Sequence, residues 1–300
     1  MKIPISSVAA RKRAALLSAL RRALEERGFI EVTTPVLLKV SPKGPAANHP
    51  FEFDGQTYDL RTSIELLLRT ALVAAPRVYD IGSAIRLEDK AKGVRSAAEF
   101  TLMECFATDL KYEGLIHLTE ELLVAVKPDL PSPRRVSVAT WFATEWGIGF
   151  DSDIEKDIRM RLAEISGGED NAPLWQLIDQ AIARHLEPAL NGYVFLTDYP
   201  IETICLANRH PDAEHIAQRF EVFLNGVEVG HGFVDSSDPD DVLERMKQNG
   251  ERFLDRSFVE RLRSGRLPAS AGLGLGIERL LAAEDAPLDV QQYLHEYQHA

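Results

Sequence analysis

Three alternating glycines and then an arginine, in Ser270-Ala271-Gly272-Leu273-Gly274-Leu275-Gly276-Ile277-Glu278-Arg279-Leu280, describe backbone laid flat beneath a ligand. On a strand the alternation puts Gly272, Gly274 and Gly276 on one face, where a missing Cβ lets a planar group approach the main chain. Leu273 and Leu275 then point into a core. Arg279 follows where a helix would begin, with a guanidinium able to stack on a base or pair with phosphate. Taken alone, the same run also fits a bulge or a tight helix–strand contact. A second constellation is Glu221 and Glu228, on two short strands joined by an Asn225-Gly226 turn that brings the carboxylates near each other. Facing acids repel unless a cation or a proton sits between them, and hard oxygen ligands favour magnesium shared with phosphates. The alternative is that one of the two points to solvent.

These groups need a scaffold, and the pattern along the chain supplies one. An amphipathic helix over residues 7 to 27 turns at Gly28 into a strand that stops at Pro35, followed by a Pro/Gly/Asn loop around Ser41-Pro42-Lys43-Gly44-Pro45 able to cover a substrate. Residues 51 to 58 read as a hairpin turning at Asp54-Gly55, and residues 63 to 75 as a helix with Glu65 in its first turn. Residues 78 to 88 and 99 to 104 read as two antiparallel strands around a charged loop, and 112 to 126 as a helix. Three prolines mark 128 to 133 as a linker, and 135 to 192 is mainly helical with a Gly167-Gly168 turn. Strands return at 194 to 197, 220 to 224, 227 to 233 and 272 to 276. The expectation is an α+β fold with a mainly antiparallel sheet flanked by helices, in one domain over 1–300 that carries a mainly helical connecting insertion at 129–192.

Composition narrows the function classes. Three hundred residues, 45% of them hydrophobic, are enough for one substantial core. No apolar run approaches the ~20 residues of a membrane helix and the first residues lack a signal-peptide block, so no membrane partner and a cytoplasmic location are expected. Cys105 and Cys205 have no partner spacing for zinc and read as reduced core residues. With 34 Lys and Arg against 46 Asp and Glu the net charge is −12, so docking of a polynucleotide would rest on a local patch. Arg11-Lys12-Arg13 and Arg21-Arg22 are candidates for that patch, or simply the solvated face of the first helix.

In order and spacing, three segments resemble motifs 1, 2 and 3 of the class II aminoacyl-tRNA synthetases: Arg27 to Pro35, Val78 to Glu88 with Glu99 to Glu104, and Gly272 to Arg279. Within that class the chain is similar to the catalytic core of the lysyl-tRNA synthetases and to their truncated relatives, the elongation factor P lysine ligases. Arg219 to Glu228 resembles that family's metal-binding strand pair and Thr197 to Glu202 the strand before it. The resemblance implies ATP and Mg2+, with Arg86 and Arg279 as the catalytic arginines. Arg86 would bridge the amino acid carboxylate and the α-phosphate, Glu88 would accept from the adenine amino group, and Phe100 and Arg279 would sandwich the base beside Gly276. Arg95 is the candidate for the γ-phosphate, and Glu221 and Glu228 for the metal. Without the resemblance, Arg86 and Glu88 read as an exposed strand pair and Phe100 as a core aromatic.

The amino-acid-binding set implied by the resemblance is Glu65, Arg86, Glu104, Phe106, His231, Phe233, Asp235 and Gly274. Glu65 and Glu104 match acids that receive the substrate amino group, and Gly274 retains the glycine where the β-lysine ligases tend to have alanine, which argues for an α-amino acid. Three positions depart from the family: the lysine-contacting tyrosine, asparagine and glutamate are here Phe106, His231 and Asp235. Phe106 has no hydroxyl, Asp235 is one methylene shorter, and His231 is bulkier, so lysine should bind less well. Asp235 retains the charge to pair with a cation that reaches further, and His231 reads equally as a structural replacement. The loop after Glu88 also differs, with Ser96-Ala97-Ala98 in place of His-Asn-Pro.

The first motif begins within the first dozen residues, which leaves no room before it for an OB anticodon-binding domain, so conventional anticodon binding is not expected. The leading expectation is a homodimer, built through motif 1, that adenylates an amino acid and passes it to a non-standard acceptor: a protein lysine, a carrier protein or a small amine. The alternatives are the elongation factor P ligase itself, a non-catalytic paralogue with a regulatory or binding role, and amide synthesis with ammonia.

Overall fold

The computed structural model describes residues 6–39, 50–87, 96–150, 156–169, 171–250, 254–283, 285 and 289–294. In chain order the first elements are α1 (Ser7–Glu25), β1 (Ile30–Glu31), β2 (Leu37–Leu38), β3 (Phe51–Phe53), β4 (Gln56–Leu60), α2 (Glu65–Ala71), β5 (Arg77–Ile85), β6 (Glu99–Ala107) and α3 (Tyr112–Val126). They are followed by β7 (Arg134–Ser137), α4 (Val138–Trp146), α5 (Lys156–Ser166), α6 (Leu174–Ala181), β8 (Tyr193–Thr197), β9 (Arg209–His210) and β10 (Ala213–Ala217). Then come β11 (Arg219–Leu224), β12 (Val227–Val234), α7 (Pro239–Asn249), α8 (Arg256–Arg263), β13 (Ala271–Gly276) and α9 (Ile277–Ala282), followed by a 3-10 turn at Val290–Tyr293.

The catalytic-sheet expectation holds in its main lines. Eight strands form one sheet in the order β1-β5-β6-β13-β12-β11-β8-β7. Its inner pairings are antiparallel, and the outer pairs β1/β5 and β7/β8 are parallel. The architecture is α+β. Two local expectations differ. The strand expected to run to Pro35 pairs with β5 only at Ile30 and Glu31. Beyond them Val32 N donates to Tyr79 O at 2.8 Å, and Thr34 bonds through its N–H and hydroxyl to the buried Asp80 carboxylate at 3.0 and 2.6 Å. The stretch expected to be helical after residue 135 opens with β7, because Arg134–Ser137 finds an open edge beside β8.

One face of the sheet is the core. Leu16, Leu20 and Leu24 of α1 and Leu115, Ile116 and Leu122 of α3 pack there against Phe195, Phe220, Val222, Leu273 and Leu275. The helical spacing on one side and the alternate strand residues on the other are what the sequence pattern requires. The opposite face is walled by α2, by α4 to α6 with Val194, Leu196 and Phe223, and by the α7–α8 pair with its own apolar cluster. The concave space between these walls holds the candidate site.

Candidate active site

The register of the sheet assembles the site from segments distant in sequence. One row runs laterally through Asp80, Glu104, Gly274, His231 and Glu221 on five neighbouring strands. The next row runs through Val78, Phe106, Gly272, Phe233 and Arg219. The glycines do different work in these rows. At Gly272 a Cβ would strike the Phe106 ring, so the space is filled by protein and not by a ligand. At Gly274 it would meet Glu104 Cγ at 3.3 Å, and at Gly276 nothing closer than the Arg279 side chain at 3.8 Å. Gly274 and Gly276 therefore form the open part of the strand, and both line a cavity of about 190 Å3.

That first cavity is bordered by Phe100, Glu104, Arg279 and Ser96. A second, of about 340 Å3, is bordered by Glu65, Phe233, Trp175 and Asp179. Arg86, Glu228 and His231 line both, so they stand at the seam. Arg86 donates from Nε to Thr62 O at 2.9 Å and its guanidinium lies 5.3 Å from the Phe100 ring centroid. Arg279 donates to Glu228 Oε2 at 2.9 Å and to Ser96 Oγ at 3.4 Å. Its neighbour Glu278 is buried and accepts from Thr101 N at 2.9 Å and from Arg13 Nη1 at 2.6 Å. Arg13, one of the basic residues of α1, is thus spent on bracing the start of α9, and Arg21 bonds Glu31 at 3.0 Å.

The acids carry most of the electrostatics. At Asn225 and Gly226, with φ of 51° and 77°, the chain makes the tight hairpin, and the register slips at Val229 so that Glu228 and His231 border the same cavities. Glu221 accepts from Tyr199 OH at 2.7 Å and pairs with Arg219 at 2.5 Å; burial nonetheless pushes its carboxyl above the usual range. Burial also works against the Glu228 charge, but the Arg279 guanidinium beside it offsets this and holds the carboxyl below its ordinary value. Burial pushes Asp179 and Glu187 up to about 7, helped by the negative charge of Glu221 and Glu228. His231 keeps 42% of its side-chain surface open, yet burial within the cleft lowers it to about 4, so the ring is neutral at pH 7.

Two further carboxyls face the seam from the other side. Glu65 is pushed up to about 8 by burial and by the charges of Asp235 and Glu104, and Glu104 to about 7 by burial. Ser63 Oγ donates to Glu104 Oε1 at 3.1 Å. The buried Glu65 Oε1 and Glu104 Oε2 have no hydrogen-bond partner among the described residues. Buried carboxylate oxygens without partners are costly, and they mark a place where a bound cation would be stabilised.

The comparisons with known proteins agree with this geometry. Residues 4–283 match the family model of the tRNA synthetases class II (D, K and N). The chain belongs to this class II synthetase family. It is similar to the lysine–tRNA ligases of Chloroflexus aurantiacus, at 32% identity over 90% of this chain and 61% of that protein, and of Prochlorococcus marinus, at 34% over 93% and 61%. The lysine–tRNA ligase of Synechococcus sp. (strain CC9311) is 32% identical over 93% of this chain and 63% of its own length. The synthetase-family chain therefore spans about three fifths of the length of these relatives.

Of the residues singled out from sequence, the synthetase fold brings Arg86, Phe100, Glu104, Gly274, Gly276, Glu228, His231 and Arg279 to the first cavity. It brings Glu65, Glu221 and Phe233 to the second. Phe106 and Asp235 border neither: Phe106 packs over Gly272, and Asp235 is buried in an ion pair with Arg69. Glu88, Arg95 and the Pro/Gly/Asn loop lie outside the described residues. Sequence reasoning missed Arg69, Arg219, Asp179 and Tyr199. For Arg219 the signal was its position two residues before Glu221 on one strand face; for Arg69 it was a charge in the otherwise apolar helix stripe of α2. Asp179 carried none, since only the packing of α6 brings it to the cleft.

Proposed function

We propose that this chain catalyses ATP-dependent amino acid activation: a carboxylate oxygen of the amino acid attacks the α-phosphorus of ATP, the bond to the bridging oxygen breaks, and pyrophosphate leaves. The observation that carries this reading is the seam, where Arg86 borders both a cavity with base-stacking and phosphate-pairing groups and Glu104, and a second cavity that holds Glu65. A guanidinium at that place neutralises the α-phosphate and the carboxylate as they approach and stabilises the charge that develops between them. Arg279 and Phe100 hold the nucleotide base. Glu65 and Glu104 receive the α-ammonium, which would return both acids toward their charged form.

Magnesium suits the donors present. It binds through one or two carboxylates and completes its shell with phosphate oxygens and water, and Glu228 at the seam with Glu221 in the adjoining second cavity would supply hard oxygens. When bound, the ion supplies Lewis-acid neutralisation of the phosphates. Arg219 and Arg279 occupy the same carboxylates otherwise, so they keep the acids ordered between substrates.

The acyl group then passes to an acceptor whose nucleophile, an amine or the thiol of a carrier protein, attacks the adenylate carbonyl, loses its proton and releases AMP. A net charge of −12 favours a protein lysine, a carrier protein or a small amine over a polynucleotide. The test is amino-acid-dependent ATP–pyrophosphate exchange with magnesium, across the standard amino acids plus ornithine and β-lysine. Exchange with one amino acid is expected; retained ATP binding with no exchange for any of them would instead identify a non-catalytic paralogue.

A further inference from the structure

Asp235 is the acid that would meet a cationic substrate side chain, and the fold has committed it elsewhere. Arg69 Nη1 lies 3.0 Å from Asp235 Oδ1, with side chains 1% and 0% exposed. The Ser270 hydroxyl donates to the other carboxylate oxygen, and Ser270 O accepts from the Asp235 N–H at 2.8 Å. Arg69 is held in turn by the Phe258 ring, 5.0 Å from its guanidinium carbon. Its Nε and Nη2 have no hydrogen-bond partner among the described residues, so turning Asp235 toward a substrate would strand a buried guanidinium.

The other acids bordering the second cavity are committed as well. Glu221 and Glu228 are paired with Arg219 and Arg279, and burial pushes Asp179 up to about 7, which weakens it as a counter-charge. Asp255 caps α8, its Oδ1 accepting from the Phe258 N–H at 2.9 Å and the Ser257 hydroxyl at 2.8 Å. Glu65 shares with Glu104 the reception of the α-ammonium, if the chain activates an amino acid as proposed above. What remains for the side chain is mainly apolar wall, Leu66, Trp175, Ile204, Leu206, Phe233 and Met246, with the neutral Thr203 and Asn249 beside it, around a space of about 340 Å3. A terminal ammonium placed there would lose its hydration without gaining a counter-charge.

We infer that the side-chain end of this site selects an uncharged, mainly apolar amino acid and rejects a terminal ammonium, and that Arg69 decides this by occupying Asp235. The experiment is calorimetric titration of the intact protein with two non-hydrolysable adenylate mimics, norleucyl- and lysyl-sulfamoyl adenosine, which differ only in lysine's terminal ammonium. The norleucyl compound is expected to bind at least tenfold more tightly. Lysyl binding as tight or tighter overturns the inference while leaving the activation reading in place. Binding of neither, together with no pyrophosphate exchange for any amino acid, overturns both. In a second arm the double variant Arg69→Met/Asp235→Asn, checked for folding by its melting temperature, is expected to keep the ratio of the two affinities within about threefold. A selective loss of lysyl binding in that variant would show that Asp235 reads the side chain after all, and would also overturn the inference.

Discussion

Glu65 and Glu104 make the ligand-free protein sensitive to pH in a direction opposite to an ordinary salt-bridged acid. Each is held above its usual value, near 8 and near 7, chiefly by burial. Between about pH 5 and pH 8 the folded state therefore binds more protons than the unfolded one, and stability falls as pH rises through that window. Thermal melts without ligand should show a decline on the order of a few degrees from pH 5 to pH 8. The variant Glu65→Gln/Glu104→Gln should make it shallower, with Asp179 and Glu187 supplying the remainder, and an unchanged slope in that variant would remove Glu65 and Glu104 as a cause. Glu228 is the opposite case, a charge kept by Arg279. Glu228→Gln should reduce pyrophosphate exchange on the order of 100-fold or more while leaving the melting temperature nearly unchanged, because the amide keeps the shape and loses the charge. Equal activity in the variant would take Glu228 out of the site.

Strand β13 separates packing from binding along six residues. Gly272 and Gly274 are two apart and share a face, yet a methyl group at the first would strike the Phe106 ring and at the second would lie 3.3 Å from Glu104 Cγ. Gly272→Ala should cost about 1–3 kcal/mol through overpacking and lower the melting temperature. Gly274→Ala should leave stability close to wild type and raise KM for the amino acid, since the carboxylate must give way by a few tenths of an ångström. If steady-state kinetics and melts gave the reverse assignment, the two rows of the sheet would be wrongly read. The glycine spacing was visible in the sequence. Which glycine faces a ligand was not, because the answer depends on Phe106, a residue of β6 that reaches Gly272 only through the sheet register.

At the scale of the molecule, Ile30, Leu37, Phe51 and Phe53 carry apolar surface at 54%, 49%, 41% and 69% exposure on the β1 to β4 side, where the motif 1 resemblance places a subunit interface. Exposed apolar side chains on these strands of a chain of net charge −12 fit association with a second copy. Sedimentation at micromolar concentration should show a dimer, and Phe53→Asp should shift it toward monomer without unfolding. A monomeric wild-type protein would count against the dimer. No helix of the described residues is long and apolar enough to cross a membrane.

The sequence by itself determined the order of the elements and the chemistry available. Alternation of apolar and glycine residues, the helix stripes, and the turns at Gly28, Asp54-Gly55 and Asn225-Gly226 are local properties, and the antiparallel sheet and α3 followed from them, whereas Arg86 was singled out only by the family resemblance. The tertiary structure alone decided which charges are free. Arg69 and Asp235 are an ordinary helix residue and an ordinary strand-end acid until α2 packs on β5 and β6, when burial makes them partners and removes the acid from the pocket. Arg13 looked like part of a basic surface until α1 crossed to Glu278. Burial and pairing are set by what arrives from the rest of the chain, and a side chain's charge becomes function or ballast according to whether its partner is a ligand or another residue.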